Sequence, residues 1–238
     1  MKMKSILTIV MAIACSLAAM AQPKQGTFSI TPRAGVVISS YSGGHLFVEG
    51  ISGSYKDSKL SPKYRTAFSG GVDAEYQLTD MLSLSAGIHY MQQGCKYDNL
   101  SQTVEPSKTT KITYGLTEMS EELHYLQFPV LASLWVAPNF AVKIGVQPGA
   151  WLSGNIKYTE SQVTEEKGQV VDTNYQVHDD EINVYRKFDL SIPIGISYEF
   201  ENVVLDARYN IGLTRLMDTS DGPRHKTFMF TAGYRFAL

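Results

Sequence analysis

In the closing stretch TFMFTAGYRFAL, Phe228, Phe230, Ala232, Tyr234, Phe236 and Leu238 take every second position, and Thr227, Met229, Thr231, Gly233 and Arg235 fall between them. A period of two is the signature of a strand with one apolar face. The same template fits seven earlier segments: Gly26 to Ser39, Arg65 to Leu78, Met81 to Gly94, Leu123 to Val136, Phe140 to Ser153, Tyr185 to Glu199 and Val203 to Thr214. The last strand runs from Lys226 to Phe236. Each is about ten to fifteen residues long, beyond the five or six usual in soluble sheets and close to what a tilted strand needs to cross a bilayer.

The connections alternate as well. Thr79-Asp80, Ala137-Pro138-Asn139 and the corner from Glu199 to Asn202 are short. Ser40 to Tyr64, Cys95 to Glu122 and Gly154 to Val184 are long, and Arg215 to His225 is intermediate. Strict alternation of this kind suits a meander with its short turns on the periplasmic side and its long loops outside. The predicted fold is therefore all-β, an eight-stranded antiparallel transmembrane up-and-down β-barrel. A soluble β-barrel that uses the same apolar face as its core is the structural rival.

The minor face of the strands sharpens the prediction. It carries Arg33, Asp73, Glu75, Gln77, His89, Lys143, Gln147, Asp189, Ser191, Asp206, Arg208, Asn210 and Arg235. Opposed to them stand Phe68, Val72, Tyr76, Val142, Ile144, Val146, Phe188, Ile194, Ile196, Leu205 and Ile211. In a lipid-embedded barrel the apolar set faces outward and the charged set fills the lumen, where burial demands pairing. Gly71, Gly87, Gly145, Gly149, Gly195 and Gly233 share the minor face and leave room for the long charged side chains. A plugged, salt-bridged lumen follows, with a conducting, porin-like channel as the alternative. Trp135 and Trp151 fall on the inward parity, so they either fill the lumen near its ends or mark a bulge.

The N-terminus supplies the export route. MKMK, the apolar SILTIVMAIACSLAAM and the small residues Ala19 and Ala21 read as a signal peptide over residues 1–21, leaving an outer-membrane domain over 22–238. Ala12-Ile13-Ala14 is a poor approach to a lipid-accepting Cys15. Removing Lys2 and Lys4 takes the net charge from −2 to −4, and no basic block suggests nucleic acid. The mature chain keeps Cys95 alone, so no internal disulfide can form.

No constellation argues for chemistry. His89 shares its face with Ser85 and neighbours Asp73 and Glu75, and His124 lies beside Glu122 and Ser120, but neither set has a supporting motif. Asp179, Asp180 and Glu181 lack the glycine and alternating acids of a calcium loop. Neither a catalytic residue, a metal ligand nor a cofactor is assigned. The long loops carry Phe47, Val48, Tyr55, Tyr97, Tyr114 and Tyr175, which offer contacts for recognition.

The leader, the strand pattern, Tyr125-Leu126-Gln127-Phe128-Pro129-Val130-Leu131, Gly145-Val146-Gln147-Pro148-Gly149, Phe188-Asp189-Leu190 with Gly195, Tyr209-Asn210-Ile211-Gly212-Leu213 and the final Gly233-Tyr234-Arg235-Phe236 together resemble the outer-membrane β-barrel proteins of Bacteroidetes, including the PorT-like barrels. The resemblance implies a Gram-negative outer membrane, lipid contact and insertion by the barrel assembly machinery, with Tyr234 and Phe236 as the assembly signal. It also implies a surface protein or a secretion-system component as a possible partner. A part of a type IX-like secretion system and a lipid-modifying outer-membrane enzyme stand as alternatives to a non-enzymatic structural or recognition role.

Overall fold

Side chains alternate between an exposed apolar face and a buried polar one along most of the long strands of the computed structural model, which describes residues 24–43, 46–48, 58–183, 185–217 and 222–238. The expected signal peptide, His45 and Tyr55 lie outside the described residues, and Phe47 and Val48 are described in backbone only. The strands are β1 (Phe28–Ser42), β2 (Leu46–Val48), β3 (Ser58–Leu60), β4 (Arg65–Gln77), β5 (Leu82–Lys96), β6 (Leu100–Ser107) and β7 (Thr110–Gln127). They continue as β8 (Val130–Ala137), β9 (Phe140–Glu166), β10 (Gln169–Glu181), β11 (Phe188–Phe200), β12 (Val203–Gly212), β13 (Arg224–Tyr234) and β14 (Phe236–Ala237).

The expected eight-stranded closed barrel is corrected. Twelve strands share one irregular sheet of order β10-β9-β11-β12-β13-β1-β4-β5-β7-β6, with β8 on β5 and β9, and β14 on β1, while β2 and β3 form a separate pair. β9 also pairs with β7, so antiparallel pairing leads from β9 through β11 to β7 and back to β9. β6 and β10 lie beyond that circuit.

Three local causes account for the difference in count. Pro129 has no N–H to give a ladder, and the expected strand from Leu123 to Val136 breaks there into the end of β7 and β8. The gap is spanned by Phe128 N–H to Pro148 O at 2.8 Å and Gly87 N–H to Pro129 O at 2.9 Å. Second, the expected loops from Cys95 to Glu122 and from Gly154 to Val184 are largely hairpins, β6–β7 and β9–β10. Val, Thr and Tyr alternate through them, and Lys167 and Gly168, with φ of 51° and 80°, make the tight turn that a two-residue hairpin needs. Third, the last strand divides at Arg235, whose N–H turns to Asn202 O at 2.7 Å. At the start of the expected sixth strand, Tyr185 precedes β11 and is buried.

The facing is inverted relative to a soluble sheet. Ile144 is 55% exposed, with Phe68, Val142, Phe188, Ile196, Leu205 and Phe230 similarly open, while Asp206 is 3% exposed beside equally buried Asp73, Lys143 and Arg208. Such a surface is costly in water and favourable in hydrocarbon. No helix among the described residues is long and apolar enough to cross a membrane, a fact with no bearing on crossing by strands.

Candidate functional site

Chemistry-bearing side chains from distant segments converge in the sheet interior. Pairing of β1 with β4 and β13 sets Arg33 beside Gly71 and Gly233, and pairing of β4 with β5 sets Asp73 beside Gly87. The glycine at 87 is required by closeness, because a Cβ there would collide with Asp73 Oδ1. Gly195 plays the same part for Arg208, whose Cγ would lie 2.8 Å from an added Cβ.

Two aspartates organise the charges. Asp206 Oδ2 accepts Lys143 Nζ at 3.0 Å and lies 3.3 Å from Arg33 Nη1, while its Oδ1 is 2.6 Å from Arg208 Nε. Asp73 Oδ2 is 2.8 Å from Arg33 Nε and 3.5 Å from Arg208 Nη2, and its Oδ1 is 2.8 Å from His89 Nε2. Nearer the chain end, Arg235 reaches Glu75 Oε1 and Ser29 Oγ at 2.9 Å each and Glu199 Oε2 at 2.9 Å, with its guanidinium 5.7 Å from the Trp135 ring centre. Of the sequence-predicted interior residues, Asp189 stands apart from these clusters. It accepts Thr214 Oγ1 at 2.7 Å and Gln127 Nε2 at 3.3 Å. Tyr234 and Phe236 face outward with ring centres 4.8 Å apart. Both tryptophans stay on the inner side, although the ladder shifts register beside each of them.

The other end of the interior has a different character. Tyr41, Leu60, Cys95, Tyr97, Leu116, Met119, Leu123, Tyr125, Tyr185 and Leu216 form a buried cluster, with Trp151 and Tyr158 packed against it. At its centre Glu121, 2% exposed, accepts the hydroxyls of Tyr41 at 2.7 Å, Tyr97 at 2.8 Å and Tyr185 at 2.6 Å. Burial first, and the Glu121 carboxylate second, push the Tyr97 and Tyr185 phenols well above their ordinary range, so both remain proton donors. This clamp was not foreseen from the sequence. Its partners lie 80, 24 and 64 residues from Glu121, and a lone glutamate on the inward parity was the only local signal.

The candidate catalytic groupings do not assemble. His89 is held by Asp73 in the charge network. His124 Nδ1 meets the Tyr90 hydroxyl at 2.6 Å, while Glu122 is committed to Arg65 at 2.7 Å and Lys157 at 3.0 Å. No group of three or more His, Cys, Asp or Glu side chains placed to hold a metal ion occurs among the described residues.

A family model described as outer membrane protein beta-barrel domain matches residues 20–218. Solved structures with similar chain paths include Ail, the attachment invasion locus protein of Yersinia pestis, at 17% identity and a TM-score of 0.39, covering 89% of this chain and 99% of that one. Neisserial surface protein A shares 15% identity at a TM-score of 0.39, covering 89% and 97%. OprG of Pseudomonas aeruginosa shares 10% at 0.33, covering 91% and 99%. No curated protein matches the sequence.

Proposed function

We propose that this chain, which belongs to that outer membrane protein beta-barrel domain family, is a non-enzymatic surface protein of a Gram-negative envelope, with a filled interior and a recognition role carried outside the membrane. The observation that carries the reading is the inverted facing of the sheet: apolar side chains exposed over its outer face, paired charges within. Water is the wrong solvent for such a surface and lipid the right one. The Asp73 and Asp206 clusters at one level, and the aromatic cluster around Glu121 at another, support a plug rather than a pore.

In this reading residues 1–21 are the export signal and 22–238 the membrane domain, with Tyr234 and Phe236 read by the assembly machinery. The β6–β7 and β9–β10 hairpins stand on the extracellular side. The motifs that resemble the Bacteroidetes barrels extend the assignment to that group, and a secretion-system partner would be met by the same hairpins.

Two measurements on the full chain test this. Vesicles containing the purified protein should leak small sugars no faster than empty vesicles, and an epitope inserted after Gly168 should bind antibody on intact cells. Sugar flux well above the empty-vesicle rate would overturn the plug. Antibody binding only after permeabilisation would overturn the orientation. Copurification of secretion components with the tagged chain would replace the recognition role by the secretion one.

A further inference from the structure

β10 pairs with β9 along one edge, and no described strand pairs with the other. Its residues are open to solvent, Val177 at 81% and Tyr175 at 65% among them. An exposed edge of β-branched and aromatic residues is a template for strand addition, which proteins normally blunt with lysine, proline or bulges. Here QVVDTNYQVHDDE contains neither lysine nor proline. Its one irregularity sits near the tip, between Val170 and Asp172, so the run from Asp172 to Glu181 is regular.

We propose that β10 pairs antiparallel with β10 of a second copy of this chain, about a two-fold axis through Tyr175. Residues directly opposite in an antiparallel pair share a face, so the axis must pass through a residue and not between two. Placed at Tyr175, the midpoint of the strand, it sets Asp172 opposite His178 twice, Thr173 opposite Val177 and Asn174 opposite Gln176. Moved to Gln176, it sets Asp172 against Asp180 twice. Moved to Asn174, it sets Asp172 against Gln176 and His178 against Val170. Opposite charges across a strand pair favour a register and like charges disfavour it. The His178 ring is held in place on its strand: it stacks on Tyr158 at 4.6 Å and 8°, with Nε2 3.6 Å from Glu160 Oε2.

The direction of the strand adds a consequence that rests on the extracellular placement proposed above. In every copy within one membrane β10 runs from the Lys167-Gly168 turn back toward the sheet, so antiparallel partners come from facing membranes. The contact is homotypic and joins two cells.

Cysteines added one at a time to the full-length protein, whose own Cys95 is buried, test the pairing. In detergent, Tyr175→Cys should give a disulfide-linked dimer on mild oxidation. Thr173→Cys or Val177→Cys alone should give at least fivefold less, and a mixture of those two should crosslink. Asp172→His should reduce the Tyr175→Cys crosslink several-fold, and Asp172→His with His178→Asp should restore it. Retention of heat-modifiable gel mobility in each variant excludes misfolding as the cause. Monomer at Tyr175→Cys, or equal crosslinking at all three positions, would overturn the pairing. Mixing cells that carry Thr173→Cys with cells that carry Val177→Cys should give the same dimer. Its formation only on coexpression in one cell would overturn the facing-membrane arrangement and leave the register standing, while antibody access at Gly168 reports separately on orientation.

Discussion

Removal of the Asp206 carboxylate should be among the most damaging single changes in the chain. Three cations, Lys143, Arg33 and Arg208, lie within 3.3 Å of its oxygens, and all four residues are at least nine-tenths buried. In Asp206→Ala the two arginines keep Asp73 as their remaining carboxylate, while Lys143 loses its only ion-pair partner among the described residues. Breaking a buried pair from one side costs about 3–5 kcal/mol, because the charge left behind can be neither hydrated nor moved away. At about 1.4 kcal/mol per factor of ten, the folded-to-unfolded ratio should fall at least roughly a hundredfold. Denaturant titration in detergent micelles, followed by tryptophan emission and by heat-modifiable gel mobility, measures it. Lys143→Met alone should also destabilise, and the double variant should recover about 0.5–3 kcal/mol relative to the sum of the singles. Losses below about 1 kcal/mol in both singles, with simple additivity, would refute the claim that these charges depend on one another.

Ile194→Arg, on the exposed face of β11, should cost about 2–4 kcal/mol if that face meets lipid near its midplane, while Ser191→Ala on the buried face should cost far less; equal small losses in the same titration would contradict the facing. Glu121→Leu strips three buried phenols of their acceptor, at about 1–3 kcal/mol per unpaired group, and should speed proteolysis around Tyr97 and Tyr185 while the sheet keeps its gel shift. Because the Tyr97 and Tyr185 phenols are raised above the value near 10 that they have in an unfolded chain, their contribution is complete below that pH and is lost only as pH rises through the folded values. Wild-type protease resistance should accordingly persist at about pH 10, and loosening there would argue against the clamp. Deleting residues 234–238 should abolish outer-membrane yield, whereas deleting Ala237 and Leu238 should be mild, as scored by folded protein recovered from membranes.

The alternation of side chains made the two faces legible, and Arg33, Asp73, Lys143, Asp206, Arg208 and Arg235, which share the minor-face parity, are buried. Strand number was less legible for reasons visible in particular residues. Pro129 was a readable interruption that the surrounding apolar run masked. Asp179, Asp180 and Glu181 gave the third loop an acidic appearance that hid the alternation of Val171, Thr173, Tyr175 and Val177 one strand long. Parity also says which side chains share the interior without saying which of them touch. That Asp206 takes Lys143, or that Glu121 takes three tyrosines, depends on register across the whole sheet, including the shifts beside Tyr125 and Trp135.

The charge network also explains why β13 and β14 are held against β1. Arg235 contacts Ser29 on β1, Glu75 on β4 and Glu199 on β11, so it is neutralised only when the two chain ends and the strand opposite have all come together. β13 lies along β1 from Arg33–Gly233 to Ser42–Arg224, and β14 continues on the same neighbour with Ile30 beside Phe236. Until that pairing forms, Arg235, Glu75 and Glu199 would each have to enter the membrane unpaired, which lipid cannot compensate. Burial of the charges and pairing of the terminal strands are thus coupled: a chain that stops short at Gly233 keeps the β13 ladder on β1 but loses its continuation through β14 and leaves Glu75 and Glu199 without Arg235 inside the sheet. The loss of Ala237 and Leu238 touches neither charge.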